Sequence, residues 1–382
     1  MEVDGGWPQW LAGQRSGREA AGLQRALRAR STGDDLVDLA GNDYLGLSTH
    51  PDVTAAAAAA AGTWGAGAAA SRLVTGTTQL HVDLEAALAE LTGMPAALVF
   101  STGYHANLSV LSALADRDAL IVSDSHIHAS LIDGARLSRA SVLVTPHGDV
   151  AAVEAALGAR DGRRALVLAE SIYSVFGDAA PLTELAEVCA RHDALLVVDE
   201  AHGLGVRGPA DGPGEGLVRE LGLAGHPHVV VTCTLSKSLG AQGGGVLAAP
   251  EILDQLVNTA RPFIFDTGLA PAAAGAALAA LELIRKEPER VELGHTRARE
   301  LADALGIEVP AGWVMSAPMP SPQVAVAAQA AARRRGVAVG CFRPPSVPDG
   351  VSRLRMTINA GVPESEWRRA VDVLVDVVAE HR

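Results

Sequence analysis

Short runs of apolar, often β-branched residues recur between residues 96 and 249, and segments with a helical spacing of apolar positions separate them. Such runs, bounded by turn residues, are typical of strands buried on both faces of a sheet. Their alternation with helices is typical of βαβ units and predicts an α/β core with a mostly parallel sheet. The predicted strands are 96–100, 119–122, 142–145, 165–168, 194–198, 229–233 and 245–248.

Helical patterns lie beside these strands. One predicted helix carries a single apolar stripe, formed by Leu80, Leu84, Ala87, Leu88 and Leu91. This spacing is typical of a helix that packs one face on a core. The alanine run over residues 55–61 predicts another helix, because alanine is the strongest helix former, and Gly62 is expected to end it.

The same patterns divide the chain into three parts. Residues 1–45 are rich in arginine and glycine and predict an N-terminal arm outside the core. Residues 46–270 form the predicted large domain, and residues 271–382 a linking helix followed by a smaller α+β domain. Helices are expected there at 321–335 and 364–380, because their apolar positions recur with helical spacing.

Composition narrows the possible functions. The 382 residues include 44 Asp and Glu against 31 Lys and Arg, and the net charge of −13 argues against a nucleic-acid partner. Cys189, Cys233 and Cys341 are far apart, so neither a disulfide framework nor a metal site is expected. No apolar run reaches the roughly 18 residues of a membrane span, and the first residues do not resemble a signal peptide. We therefore expect a soluble, cytoplasmic protein without a membrane partner.

Lysine is rare in this chain, which contains only Lys237 and Lys286. Lys286 belongs to a charged helix end and is expected to be a solvated surface residue. Lys237 lies in a glycine-rich segment, residues 234–245, in which it is the only charged residue. Burial without an ion pair would lower its pKa and make it a nucleophile, so Lys237 is the strongest catalytic candidate.

Two short motifs near residue 200 suggest other functions and need their context. Residues 203–208 match the GxGxxG pattern of nicotinamide-binding proteins, but Pro209, Gly212 and Pro213 follow where that motif requires a helix. The string Asp-Glu-Ala-His at 199–202 also occurs in nucleic-acid ATPases, but the chain lacks their Gly-Lys-Ser/Thr phosphate loop. Neither context supports the motif it surrounds.

Polar residues follow the carboxyl ends of the predicted strands, where open α/β sheets bind ligands. They are Ser101, Gly103, Tyr104, Asp124, His126, His128, Ser171, Ser174, Asp199, His202, Thr234, Ser236 and Lys237. The set offers a lysine for a Schiff base, an aspartate for a ring nitrogen, histidines to cover a ring, and hydroxyls with a glycine-rich helix start for a phosphate. These are the groups that bind pyridoxal phosphate. Alone, Asp199 could equally be a helix cap and His128 an ordinary surface or core histidine.

Ordered motifs extend this pattern over nearly the whole chain, at residues 42–47, 65–67, 71–76, 101–107, 128–130, 199–203, 234–237 and 343–348. In this order they closely resemble the α-oxoamine synthase family of fold-type I pyridoxal-phosphate enzymes. The resemblance implies a large domain with a mostly parallel seven-stranded sheet, a smaller C-terminal α+β domain and an N-terminal arm. It also implies a homodimer with its active sites at the subunit interface.

The resemblance further implies roles for single residues. Lys237 would carry the cofactor, Asp199 would pair with its ring nitrogen, and His128 would stack on the ring. The remaining cofactor contacts would come from Gly103, Tyr104, Ser174, His202 and Thr234, with Thr267 reaching the partner's phosphate. Arg355 would bind the amino-acid carboxylate, while the acyl-chain site would be lined by Arg25, Arg343 and Ser346.

Residues 343–348, followed by Arg353-Leu354-Arg355, resemble one branch of the family in particular. That branch condenses L-alanine with a pimeloyl thioester, releasing carbon dioxide and the thiol, in biotin biosynthesis. The resemblance leaves open whether the donor is a CoA or a carrier-protein thioester. The alternatives are a sibling enzyme that uses glycine and a short acyl-CoA, a nicotinamide-dependent dehydrogenase, and a non-catalytic scaffold with the same fold.

Overall fold

The computed structural model describes residues 6–344 and 346–382. The first five residues of the predicted arm, and Pro345 within the motif at 343–348, lie outside the described residues. The strands are β1 (Val37–Leu39), β2 (Ala96–Phe100), β3 (Ala119–Asp124), β4 (Ser141–Thr145), β5 (Arg164–Glu170), β6 (Leu195–Asp199), β7 (Val229–Thr234), β8 (Gly244–Ala248), β9 (Val314–Pro318), β10 (Val337–Phe342) and β11 (Arg353–Thr357).

Helices connect and cover these strands. They are α1 (Trp7–Ala20), α2 (Pro51–Trp64), α3 (Gln79–Thr92), α4 (Gly103–Leu114), α5 (Ala129–Ser138), α6 (Val150–Gly158), α7 (Leu182–Arg191), α8 (Leu217–Glu220), α9 (Pro250–Thr259), α10 (Arg261–Ile264), α11 (Pro271–Lys286), α12 (Glu289–Leu305), α13 (Pro322–Arg334) and α14 (Glu364–His381).

The larger sheet has seven strands in the order β2-β8-β7-β6-β5-β3-β4. Only β8 runs antiparallel to its neighbours, so the predicted mostly parallel sheet is confirmed. Along β6, Leu196 and Val198 join one hydrophobic cluster and Val197 the other. Because successive side chains of a strand point to opposite faces, apolar residues cover both faces of this sheet.

The smaller sheet has the order β1-β10-β11-β9. Its first strand comes from the predicted N-terminal arm and pairs in parallel with β10. Val37 and Leu39 of that strand are buried, whereas α1 has no buried residue. The end of the arm is therefore part of a folded sheet, while the proposed domain boundaries stay a prediction.

The prediction that Gly62 ends the alanine-rich helix is wrong. Helix α2 continues to Trp64 and ends at Gly65, which has a φ of 91°. A helix interior tolerates glycine at a modest cost, but a positive φ is outside the helical region and favours glycine. No helix of the described residues is long and apolar enough to cross a membrane.

Candidate active site

A cleft of about 230 Å³ lies at the carboxyl edge of the larger sheet. It is lined by eight residues from the sequence-based set, namely Gly103, Tyr104, His128, Asp199, His202, Thr234, Ser236 and Lys237. They follow different strands of the sheet, because the carboxyl ends of parallel strands meet at one edge. The topology thus brings together residues that are up to 134 positions apart in the sequence, from 103 to 237.

Lys237 lies in the turn that follows β7. Its Nζ is 2.9 Å from Nε2 of His202. Burial lowers the pKa of Lys237 to about 8, although the charges of Asp199 and Glu170 act in the opposite direction. A lysine with this pKa carries a substantial neutral fraction near neutral pH, and the neutral amine is the form that attacks a carbonyl carbon.

Asp199 is the last residue of β6 and is only 5% exposed. Asn107 Nδ2 donates a hydrogen bond to its Oδ2 at 2.8 Å, and the amide of Ala201 donates to its Oδ1 at 2.9 Å. Asn107 is itself held by Thr232, whose hydroxyl donates to Oδ1 of the amide at 2.6 Å. These donors fix the carboxylate in one orientation at the floor of the cleft.

The N-terminus of α4 forms another side of the cleft. Thr102 caps this helix, since its side chain accepts a hydrogen bond from the amide of His105. A Cβ at Gly244 would lie 2.5 Å from Cα of Gly103, so only two glycines allow α4 to start this close to β8. The first-turn amides of a helix lack helical partners and favour anions such as phosphate.

A chain of hydrogen bonds leads away from Lys237. His202 faces Lys237 with Nε2, and its Nδ1 is 2.5 Å from the hydroxyl of Tyr44. Tyr44 in turn donates to Oδ1 of Asn42 at 3.2 Å. Burial, together with the charge of Lys237, keeps the pKa of His202 well below its ordinary value, so this histidine is neutral. A neutral imidazole can accept from Lys237 while it donates to Tyr44.

Arg355 lies at the far end of this chain and is buried. Its Nε donates to the carbonyl of Ser174 at 2.8 Å, and its terminal nitrogens lie 3.3 Å from Oδ1 of Asn42. Within the described residues its hydrogen-bond acceptors are neutral, so its charge stays available for an anion. That charge lowers the pKa of Lys237 and of His202, which places the guanidinium within reach of the cleft.

A second cavity, of about 770 Å³, lies between the N-terminal segment and the smaller sheet. Arg25, Arg343 and Ser346 line it together, and Arg25 donates to the hydroxyl of Ser346 at 3.0 Å. Arg343 donates to the backbone carbonyl of Gly22. The guanidinium of Arg355 lies 5.0 Å above the ring of Phe342, which also lines this cavity, so Arg355 stands between the two spaces.

Other predicted site residues lie outside the cleft. Ser174 contributes its backbone, which donates to Glu170 and accepts from Arg355. Thr267 is exposed on the segment after α10. Ser101 contacts His105 and Asp266, and Ser171 is buried behind the cleft. Asp124 and His126 belong to a separate cluster around His147.

The structure also places two residues in the cleft that received no role from the sequence. Asn107 orients Asp199, and Glu170 ends β5 directly beside Asp199 in the strand register. Burial and then the charge of Asp199 raise the pKa of Glu170 to about 8, so this carboxyl group is mostly protonated at neutral pH. An acidic residue at the end of a second predicted strand was the available signal for Glu170.

The GxGxxG match at 203–208 has a packing explanation. Residues 201–206 form turns, and the next helix begins only at Leu217. A Cβ at Gly203 would lie 2.1 Å from a carboxylate oxygen of Glu200, and one at Gly205 would lie 2.3 Å from Cβ of Ser238. These glycines are required by close packing beneath the cleft, and the arrangement lacks the helix of a nicotinamide motif.

The sequence matches the aminotransferase class I and II family over residues 34–374. It is 54% identical over 371 residues to the 8-amino-7-oxononanoate synthase of Mycolicibacterium gilvum (strain PYR-GCK), covering 97% of each chain. It is 55% identical over 371 residues to the protein of the same name from Mycobacterium avium (strain 104), covering 97% of this chain and 96% of that protein.

Solved structures give the same picture. The fold is similar to a serine palmitoyltransferase from S. paucimobilis, with a TM-score of 0.88, 29% identity and 97% of each chain covered. It is also similar to the 8-amino-7-oxononanoate synthase of Francisella tularensis, with a TM-score of 0.75, 25% identity, and 91% and 99% of the two chains covered. The chain therefore belongs to the aminotransferase class I and II family, and within it groups with relatives named 8-amino-7-oxononanoate synthase.

Proposed function

We propose that this protein catalyses the pyridoxal-phosphate-dependent condensation of L-alanine with a pimeloyl thioester to give 8-amino-7-oxononanoate, carbon dioxide and the free thiol. The observation that carries the proposal is the position of Arg355, a buried guanidinium with neutral partners, between the lysine cleft and the arginine-lined cavity. This arrangement suits an amino acid in the cleft and an acyl chain in the cavity. Relatives with the corresponding name are 54% identical over 97% of the chain.

The cleft fits pyridoxal phosphate in its chemistry. Lys237 offers an amine with a pKa of about 8, and Asp199 offers a carboxylate fixed by Asn107. The glycine pair at the start of α4 leaves a space that a Cβ would fill, beside amides that favour a phosphate. The same family's serine palmitoyltransferase from S. paucimobilis was solved with PLP and myriocin bound.

Each group of the cleft has a distinct proposed task. When bound, the cofactor supplies a covalent link to the amino acid and an electron-accepting ring. Asp199 would hold the proton on the ring nitrogen, and His128 would cover one face of the ring. Gly103 and Tyr104 would bind the phosphate with their amides, assisted by Thr234. His202 would contact the ring from its position beside Lys237, and the segment at Ser174 would border the same side.

Arg355 and Lys237 would control the bond-making carbon. Arg355 binds the alanine carboxylate and so decides which bond of Cα is aligned for cleavage. The neutral amine of Lys237 then removes the Cα proton of alanine as a general base. Cα attacks the thioester carbonyl carbon, the thiol leaves, and the carboxyl group that Arg355 oriented departs as carbon dioxide. The acyl chain would lie along Arg25, Arg343 and Ser346.

We further propose a homodimer in the cytoplasm. Leu73, Val74 and Phe265 are 51%, 75% and 70% exposed. The loop that carries Leu73 and Val74 is bonded to the segment after Phe265, since the amide of Gly268 donates to Ala70 at 3.0 Å. A clustered exposed apolar surface favours burial by a second copy. Thr267 on this segment would then reach the partner's phosphate.

The test is a substrate comparison on purified protein loaded with pyridoxal phosphate. We expect 8-amino-7-oxononanoate, identified by mass, from L-alanine with pimeloyl-CoA or a pimeloyl carrier protein. Product formed only from glycine and a short acyl-CoA would instead identify a sibling α-oxoamine synthase. The Lys237→Ala variant should form no product, and Lys286→Ala should match the wild type. Failure with every amino acid and donor would contradict the proposed reaction.

A further inference from the structure

A histidine outside the cleft is held between two carboxylates. His147 follows β4, and its Nδ1 lies 3.0 Å from Oδ1 of Asp124 while its Nε2 lies 2.7 Å from Oδ2 of Asp178. Because both ring nitrogens face carboxylate oxygens, both must carry a proton, and the ring is a cation. These hydrogen bonds raise the pKa of His147 to about 9. We call this arrangement of His147, Asp124 and Asp178 the carboxylate bridge.

The two carboxylates differ in how firmly they are held. Asp124 ends β3 and also accepts hydrogen bonds from the amides of His126 at 2.7 Å and Gly148 at 2.8 Å. Asp178 has no such support within the described residues, since its Oδ2 bonds to His147 and its buried Oδ1 has no partner. The bridge therefore anchors Asp178 to a rigid strand end, and only His147 makes that link.

Asp178 belongs to residues 171–179, which we call the site loop. Its ends are joined by a bridge between Ile172 and Ala179, and the amide of Tyr173 donates to the carbonyl of Asp178 at 2.9 Å. The loop thus moves as one turn, with Asp178 at its anchored side. On its other side the carbonyl of Ser174 accepts the 2.8 Å hydrogen bond from Arg355.

The site loop is also fitted closely against the smaller sheet. The carbonyl of Gly177 accepts from the amide of Ala311 at 2.9 Å, and that of Val175 accepts from the hydroxyl of Ser316. The guanidinium of Arg353 lies 4.7 Å above the ring of Phe176. The loop therefore connects the strand ends of the larger sheet with the strand that carries Arg355, and a shift of the loop would be passed on to that arginine.

We propose that the carboxylate bridge positions Arg355 for the carboxylate of the amino-acid substrate. His147 holds the site loop, the loop carbonyl at Ser174 holds the guanidinium, and the guanidinium binds the carboxylate. Without the cation, two carboxylates would face each other and Asp178 would turn towards water. His147 is thus a positioning residue, acting on amino-acid affinity and not on the chemical step. The proposal rests on the proposed function, because it requires an amino-acid substrate.

The test uses the holoenzyme with His147→Gln, and His192→Gln as the matched control. The His192 side chain is 27% exposed, close to the 26% of His147, and faces Glu154 far from the site loop. Titration with L-alanine, followed by visible absorbance, should give a dissociation constant about tenfold higher for His147→Gln. Ethylamine, which lacks a carboxylate, should bind both variants and the wild type equally. The kcat at saturating alanine should change by less than about threefold, because the Lys237 amine is untouched.

Two further measurements separate positioning from a general loss of structure. Hydrogen exchange without substrate should speed up in residues 171–179 of His147→Gln and stay unchanged in β6 and β7. Combining His147→Gln with Arg355→Lys should add less than about twofold to the single Arg355→Lys effect, because both changes act on one contact. If His147→Gln does not fold, Asp178→Asn removes the same charge pair and should show the same alanine-specific weakening to a smaller degree.

The outcomes distinguish this inference from the proposed function. A wild type that binds no L-alanine contradicts the proposed function and, with it, the role of the bridge. A wild type that binds L-alanine no more tightly than His147→Gln contradicts the bridge alone. Equal weakening of L-alanine and ethylamine, or full additivity with Arg355→Lys, would also overturn the inference.

Discussion

The lysine cleft and the arginine-lined cavity are built in different ways. The cleft is formed by strand ends and one helix start, and its charged groups are buried and held by two or more partners, as Asp199 is by Asn107 and Ala201. The cavity is formed by the N-terminal segment and the loop after β10, and Arg25 has one side-chain bond there, to a neutral hydroxyl. The first region is fixed by the fold, whereas the second is assembled from surface segments.

This difference suggests a division of labour. A group whose pKa must be shifted needs burial and a fixed neighbour, which strand ends provide. A long flexible acyl chain needs a wide lining with a few cations, which surface segments can provide without a rigid frame. Changes in the cleft should therefore act on the chemical step, and changes in the cavity on affinity for the acyl donor.

The largest expected effect comes from removing the amine of the cleft. Lys237→Ala should lower kcat by at least about 10³-fold, because it removes both the cofactor link and the general base. Lys286→Ala is the matched control, since Lys286 pairs with Glu282 on the exposed surface of α11. The measurement is the rate of 8-amino-7-oxononanoate formation, together with the mass of the borohydride-reduced protein. Residual activity above a hundredth of the wild type would contradict the assignment.

A tenth to a hundredth of that effect is expected from the support beneath Asp199. Asn107→Leu should lower kcat and cofactor affinity by roughly 10- to 100-fold, because the carboxylate loses its amide donor and can turn away from the ring nitrogen. Asn258→Leu on the surface of α9, where the amide bonds only within its helix, is the control. Cofactor affinity is measured by fluorescence titration of the unloaded protein. An Asn107→Leu variant with normal affinity would show that Asp199 needs no such support.

The pKa of Lys237 predicts a change of about tenfold per pH unit. Attack on the cofactor aldehyde needs the neutral amine, whose fraction rises about tenfold per unit below a pKa of about 8 and levels above it. The rate of cofactor capture by unloaded protein should therefore rise from pH 6 to 8 and then become flat. Nα-acetyl-lysine amide, measured in the same buffers, provides the reference, and its rate should keep rising towards pH 10. A protein profile that follows this reference would contradict the buried position of Lys237.

The cavity should respond more weakly and in a different parameter. Arg343→Ala should raise the KM for the acyl thioester by about tenfold, because it removes a half-buried cation and its link to the backbone of Gly22. The KM for L-alanine should stay within about twofold of the wild type, because Arg355 is unchanged. Arg335→Ala, which breaks a surface pair with Glu380, is the control. A larger change for L-alanine than for the thioester would merge the two regions that the comparison separates.

The sequence predicted the cleft better than its supports, for physical reasons. Strand ends were recognisable because apolar runs have clear limits, and Lys237 because lysine is so rare in the chain. Asn107 was missed because its role arises from a contact with Asp199, 92 positions away, and no local pattern encodes that contact. Glu170 was missed because its protonated state depends on burial beside Asp199 in the neighbouring strand. The bond between Arg25 and Ser346 spans 321 positions, and only the resemblance to a family suggested that pairing.

The smallest effect is expected at Arg25. Its single side-chain bond joins it to Ser346 at 3.0 Å on an exposed segment, so its position is fixed only loosely before substrate binds. Arg25→Ala should raise the KM for the acyl thioester by about threefold and leave kcat unchanged, in keeping with the modest value of exposed polar contacts. Arg15→Ala on α1, which breaks the pair with Glu19, is the matched control. A loss as large as that of Lys237→Ala would mean that the N-terminal segment closes over the cleft during the reaction, and the cavity would then be part of the catalytic machinery.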